Sequence, residues 1–313
     1  MTRHLVSGLS IESDVPLTAY RPSSSPADVF LKCAGTRPVP GELAGGRLVQ
    51  SLTVIGQGLL YSTVATAGDR YLLRAHHHID FEISQDLGLV EAWLSDICPP
   101  EMLEILGSGL LVSVLLALRG EFALHASTVE VDGRAVAFIG ESGMGKSTLA
   151  AMACATGAKL VTDDLLRLDL STPTARCYLG SLENRLRWKP SELSPAYSAT
   201  VTALSVDGRR LLRPVPSEAE LAPLVAIVAP LPDRTAEKLD IVRLDPAPSV
   251  MQLNRCLRTP GWLDLAFRQK AFSQLSRIAE LVPVYLARLP WGPPFDDTTV
   301  AALLDEVSLG AVD

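Results

Sequence analysis

The sequence predicts an α/β protein: a mixed β-sheet domain built round a phosphate-binding loop over residues 99–313, preceded by a smaller β-rich region over 1–98. Three observations carry this. The run Gly140-Glu141-Ser142-Gly143-Met144-Gly145-Lys146-Ser147-Thr148 is a complete phosphate-loop motif. It follows an apolar strand-like stretch and opens a helix-forming one. Short alternating segments with Gly-containing turns fill the first third of the chain, and helical segments appear only later.

Taken from the N-terminus, Thr53-Val54-Ile55 and Gly58 to Val64 read as strands, and Pro22-Ser23-Ser24-Ser25-Pro26 as an exposed loop. Alternation places His76 and His78 of His76-His77-His78 on one face of a β-like segment, yet no Cys or acidic pattern completes a zinc set. Pro99-Pro100 marks the entry to the second region. Ile105 to Leu118 is uncharged, too short to cross a bilayer, and reads as a buried helix.

Phe122 to Val131 and Arg134 to Ile139 then form a hairpin across Asp132-Gly133, a favoured two-residue turn. His125 on the first strand either approaches the phosphate loop or is a satisfied polar residue within the sheet. In the loop, glycines let successive N–H groups face inward, and the helix that starts there adds partial positive charge. Lys146 would reach the β and γ phosphates of a triphosphate, and the Ser147 hydroxyl would ligate the bridging magnesium. Leu149 to Thr156 continues the helix until Gly157 stops it.

Ala158 to Thr162 is a short strand ending in Asp163-Asp164. Open α/β sheets collect ligands at the carboxyl ends of strands, so this pair faces the phosphates: one acid holds metal and the other accepts a proton. The plain alternative is a loop cap beside a solvated charge. Leu263 to Leu281 has an amphipathic helical period and packs on the core. Basic Arg255, Arg258, Arg268 and Lys270 could meet an acidic substrate or a phosphate.

The whole chain is 313 residues with 48% hydrophobic content and a formal net charge of −7, which excludes the basic footprint of a nucleic-acid protein. Five scattered cysteines, none in a C-x-x-C pair, suit a reducing compartment. Met1 to Leu17 carries Arg3, His4, Glu12 and Asp14 in place of a signal's apolar core. A cytoplasmic protein without a membrane partner is expected, and its oligomeric state is not legible.

Leu124-His125-Ala126-Ser127, Val131-Asp132-Gly133-Arg134, the phosphate loop and Leu160-Val161-Thr162-Asp163-Asp164 together resemble the catalytic domain of HPr serine kinase/phosphorylases, a PEP-carboxykinase-like fold. The resemblance is closer to the shorter HPr-kinase-like proteins encoded with ribosomally made peptides, lasso-peptide kinases among them. It is ordered across residues 122–169 and looser through Arg185-Leu186-Arg187, Pro223 to Val228 and Val282 to Leu286; Gly8 to Leu17 is also similar to the start of the short relatives.

The resemblance implies an ATP-dependent, magnesium-requiring serine kinase acting on a peptide or protein, with a lasso precursor as the leading acceptor. A free-serine-type small-molecule kinase and a nucleotide-binding switch are the alternatives. The resemblance makes Asp163 and His125 the catalytic pair, Asp163 as base and His125 as its neighbour, with the two roles open to exchange. Asp164 assists and joins Ser147 at the metal, and Lys146 completes the catalytic set. The glycine-rich signature that follows the aspartates in full HPr kinases has no clear copy. Ser181 to Pro190 stands there instead, offering Glu183 to the metal and Arg185 or Arg187 either as a phosphate clamp or as solvated charges.

Overall fold

The computed structural model describes residues 1–187, 201–292 and 295–309. It is a mixed α/β chain that divides into two compact units, Met1–Phe122 with Arg258–Ala271, and Ala123–Leu257 with Phe272–Asp313. Among the described residues, no helix is long and apolar enough to cross a membrane.

The first unit is built on a nine-stranded mixed sheet. Its strands are β1 (Thr2–Val6), β2 (Leu9–Ser13), β3 (Arg21–Pro22), β4 (Val29–Thr36), β5 (Arg47–Val54), β6 (Gly58–Thr66), β7 (Arg70–Ala75), β8 (Ile79–Ile83) and β9 (Leu89–Leu94). They lie in the order β3-β1-β2-β4-β9-β8-β7-β6-β5. Every second residue of β9 is buried, the signature of a strand with one face on a core. His76 to His78 form the turn between β7 and β8 rather than a strand face. His77 takes a φ of 66°, His76 is buried, and His78 is exposed. His76 Nε2 lies 2.9 Å from Ser62 Oγ.

Pro99-Pro100 punctuates a helix entry, not the unit boundary, which falls at Phe122. The expected buried helix begins as α1 (Met102–Leu106), passes through a π turn over Gly107–Leu111 and continues as α2 (Val112–Leu118). A Cβ on Gly107 would stand 3.3 Å from Leu31 Cδ2, so this helical run packs on the first sheet and belongs to its unit. The division accordingly comes later than residue 98. The returning segment 258–271 bridges Trp262 to Gln50 and donates the Leu263 N–H to Val49 O at 2.9 Å, covering the β5 edge that would otherwise present unpaired backbone groups.

The second unit holds an eight-stranded mixed sheet. It comprises β10 (Ala126–Val131), β11 (Arg134–Ile139), β12 (Lys159–Thr162), β13 (Leu168–Asp169), β14 (Arg176–Tyr178), β18 (Leu221–Asp233), β19 (Asp240–Arg243) and β20 (Val284–Pro290). A separate three-stranded sheet joins β15 (Asn184–Leu186), β16 (Val201–Leu204) and β17 (Arg210–Leu212). The β10–β11 hairpin turns through Asp132 and Gly133 at φ 49° and 75°, as a two-residue turn requires.

Strand β11 is central, paired antiparallel with β10 and parallel with β18. Its Ala-Val-Ala-Phe-Ile run is buried on both faces. Helix α3 (Lys146–Ala155) returns across it, and Phe138, Leu149, Met152 and Val228 share one core with Leu303 of α6 (Asp297–Leu309). Helix α4 (Pro246–Arg255) also belongs to this unit, while α5 (Leu265–Leu281), which coincides with the expected amphipathic segment, has residues 265–271 in the first unit and 272–281 in the second.

Candidate phosphate-binding site

Strand β11 ends at Ile139, and the chain turns through Gly140 to Gly145 before α3 begins at Lys146. Gly140 is buried, whereas Glu141, Ser142 and Gly143 are exposed and Met144 is half-buried. The cap of α3 is Gly145, in the left-handed region at φ 82°. A Cβ there would meet Trp291 Cη2 at 2.4 Å, so both backbone angle and packing exclude a side chain. The first helical bond runs from Leu149 N–H to Gly145 O at 2.8 Å. The preceding amides of Lys146, Ser147 and Thr148 point out of the helix start, where backbone polarity favours an anion. At the far end, the N–H groups of Gly157 and Ala158 close on the carbonyls of Cys154 and Ala153 and terminate α3.

Lys146 is 5% exposed, and its Nζ donates to the Glu141 carbonyl at 2.9 Å. The ammonium therefore spans the loop mouth. Arg187 reaches the loop from the other side, with Nη2 3.2 Å from Ser142 Oγ.

Asp163, just beyond β12, is 4% exposed. Ser147 Oγ donates to Asp163 Oδ1 at 2.8 Å, and Ser127 Oγ donates to the same oxygen. The Arg185 backbone N–H donates to Oδ2 at 2.9 Å. Burial of Leu186 with Ala151 of α3 and Leu212 of β17 fixes β15 so that this amide meets the carboxylate. Ser127 was not among the expected site residues. Its signal in the sequence is its place in the hairpin: β10 pairs Ser127 with Phe138, one step from the end of β11.

Asp164 takes a φ of 74°, uncommon for a residue with a side chain. Its Oδ1 lies 3.2 Å from His125 Nε2, with side-chain exposures of 39% and 24%. His125 is anchored through its N–H to the Cys256 carbonyl at 2.7 Å. The adjacent acids thus serve different neighbours: Asp163 meets Ser147, and Asp164 meets His125. The expectation had paired Asp163 with His125 and Asp164 with Ser147; the left-handed turn at Asp164 exchanges those partners.

The remaining candidates separate. Glu183, 7% exposed, accepts from Arg213 Nε at 2.6 Å, so its carboxylate is committed to a cation rather than to the Ser147 side. The Arg185 guanidinium lies 2.8 Å from Asp207, so this residue contributes its amide to the site while its charge is engaged elsewhere. Thr148 is buried within α3. Arg255 belongs to the second unit, whereas Arg258, Arg268 and Lys270 belong to the first. Trp188, Lys189 and Pro190 lie outside the described residues. Nearby thiols are inert: burial, aided by the Asp163 charge, pushes Cys154 up to about 12, and burial pushes Cys256 up to about 11.

Among the described residues, no three His, Cys, Asp or Glu side chains converge as a ready metal cage. The donors at Ser147 and Asp163 are hard oxygens. They suit magnesium, which takes one or two carboxylates and fills its remaining positions with phosphate oxygens and water.

No family model matches the chain, and no curated protein does. Among solved structures, it is similar to the HPr(Ser) kinase/phosphatase of Coxiella burnetii, at 14% identity and a TM-score of 0.32, over 59% of this chain and 98% of that one. A likeness of that depth carries no argument about activity, which rests on the site itself.

Proposed function

We propose that the second unit is an ATP-dependent phosphotransferase that moves the γ-phosphoryl group to a seryl hydroxyl. The observation that supports it most is the Ser147–Asp163 contact at 2.8 Å, which joins the first turn of α3 to the end of β12 beside a phosphate-type loop. The reading of the acceptor as a serine on a ribosomally made peptide, a lasso precursor among them, rests on the sequence resemblance.

In this reading the loop amides and Lys146 bind the triphosphate. Magnesium, held by Ser147 and Asp163, would neutralise phosphate charge. Asp163 is held by three donors that fix its orientation, a positioning arrangement rather than a proton-accepting one. The more exposed Asp164, paired with His125, takes the acceptor's proton as the seryl oxygen bonds to the γ phosphorus and the bond from phosphorus to the bridging oxygen breaks. The electron pair leaves with ADP. Arg187, beside Ser142, adds positive charge at the loop.

Purified chain with ATP and magnesium is expected to add one phosphate mass to a serine-containing precursor peptide. Asp164→Asn should keep nucleotide affinity while transfer falls by ~10² to 10⁴. Asp163→Asn should lose the magnesium-dependent part of that affinity. Phosphate appearing on free serine and not on peptide would move the reading to a small-molecule kinase, and tight nucleotide binding with no acceptor modified would leave a switch.

A further inference from the structure

The first unit contains a cavity of about 340 Å³ that the phosphate site does not use. Its apolar wall is Trp262 and Phe267, buried and packed at 5.2 Å between ring centroids, with Tyr71 and Ala117. Two cations line it, Arg47 from edge strand β5 and Lys270 from the first turns of α5. Among the described residues, neither has an ion-pair or side-chain hydrogen-bond partner, and neither do the Tyr71 hydroxyl and the Trp262 indole N–H. The one acid at the rim, Asp264, accepts the Phe267 N–H at 2.7 Å and so caps α5.

This lining is formally +1 in a chain of −7: Arg47 and Lys270 give +2 and Asp264 gives −1. Sequence alone had marked Lys270 as a cation that could meet an acidic ligand, and the fold gives it a concave aromatic setting. The volume falls at the lower end of ligand pockets, which pair apolar walls with a few polar groups that set orientation. Exposed cations beside two rings tilted at 43° suit a ligand with one charged end and one apolar body.

We infer that this cavity binds a small amphipathic organic anion, a carboxylate or sulfonate carried on an aromatic or branched apolar body. The rings bury the body, while Arg47 and Lys270 receive the charge. The site lies wholly within the first unit, so the inference is independent of phosphoryl transfer in the second and stands or falls separately.

The probe is 1-anilino-8-naphthalenesulfonate, titrated into the full chain and followed by dye emission on excitation of tryptophan. Saturable one-to-one binding is expected. Arg47→Ala with Lys270→Ala should weaken it by about tenfold or more, while the uncharged analogue N-phenyl-1-naphthylamine binds as before. Ala266→Trp, at an exposed cavity position, should block both probes without changing the melting transition. Lys32→Ala, at an exposed position of β4, serves as the unaffected control.

Displacement by 4-phenylbutyrate would point to a free small molecule, and displacement only by a short peptide ending in Phe would point to a chain terminus. Either result supports the inference. Dye uptake that never saturates, dye affinity unchanged in the double variant, or equal displacement by 4-phenylbutyramide would overturn it.

Discussion

Asp80 in the first unit and Asp163 in the second are both almost fully buried, at 1% and 4% exposure, yet their partners differ in kind. Asp80 accepts from Arg74 through both oxygens at 2.7 and 3.0 Å, and from Arg37 at 2.9 Å. Arg37 also pairs with Glu82 and lies 5.1 Å over the Trp93 ring. Charge is balanced within that cluster. Asp163 receives two hydroxyls and one amide, all neutral donors. Such donors fix a carboxylate's orientation but do not cancel its charge, which leaves it suited to an incoming cation. The same residue type is thus structural in one unit and a candidate ligand in the other, and the kind of partner tells them apart.

The strongest way to break that comparison is Asp163→Asn. Transfer to a serine peptide, read by mass spectrometry, is expected to fall on the order of 10³-fold, about 4 kcal/mol in the barrier. The melting transition should move little. A collapse of stability with normal turnover of the folded fraction would make Asp163 structural, as Asp80 is.

The converse change is Asp80→Asn, which leaves Arg74 buried without its counter-charge. Urea unfolding should show a loss of about 3 kcal/mol or more. An unchanged midpoint would mean that the arginine cluster relaxes into water at no cost.

Gly145→Ala tests the loop rather than the acids. Left-handed φ in a residue with a side chain costs ~1–2 kcal/mol, and the new methyl would collide with Trp291. Weaker nucleotide binding, measured by calorimetry, is expected alongside a modest drop in melting temperature. Unchanged affinity would show that the loop carries its ligand without that packing.

The smallest effect is a pH dependence in the first unit. Burial holds the His76 imidazole below its ordinary value. Above about pH 6.5 the histidine is neutral whether folded or unfolded, so it adds no pH dependence there. As pH falls through that value towards the lower folded one, the unfolded chain takes up a proton that the native state resists, and stability is lost. Melting scans between pH 7 and 5 should show this decline, and His76→Gln should flatten it. An equal decline in the variant would assign the effect to other groups.

Much of the second unit's local structure is legible in its sequence. The glycine-rich turn, the hairpin and the acid pair lie within residues 122–164, and two features there depend on local spacing: Asp132-Gly133 sets the hairpin turn, and Gly157 ends the helix. His76 to His78 misled because a turn between two strands keeps the composition of its strands, and only φ reveals it. The boundary at residue 98 was misplaced because Pro99-Pro100 signals a helix start as readily as a linker.

By itself, the sequence determined which chemical groups stand at the glycine-rich turn between β11 and α3, since such a turn between strand and helix is a local instruction. Tertiary structure alone decided which acid meets Ser147, that Arg185 serves through its amide, that Glu183 is taken by Arg213, and that residues 258–271 return to wall a cavity with β5. Those outcomes depend on contacts between residues far apart in the chain and on the sign of one backbone angle at Asp164, neither of which local spacing encodes.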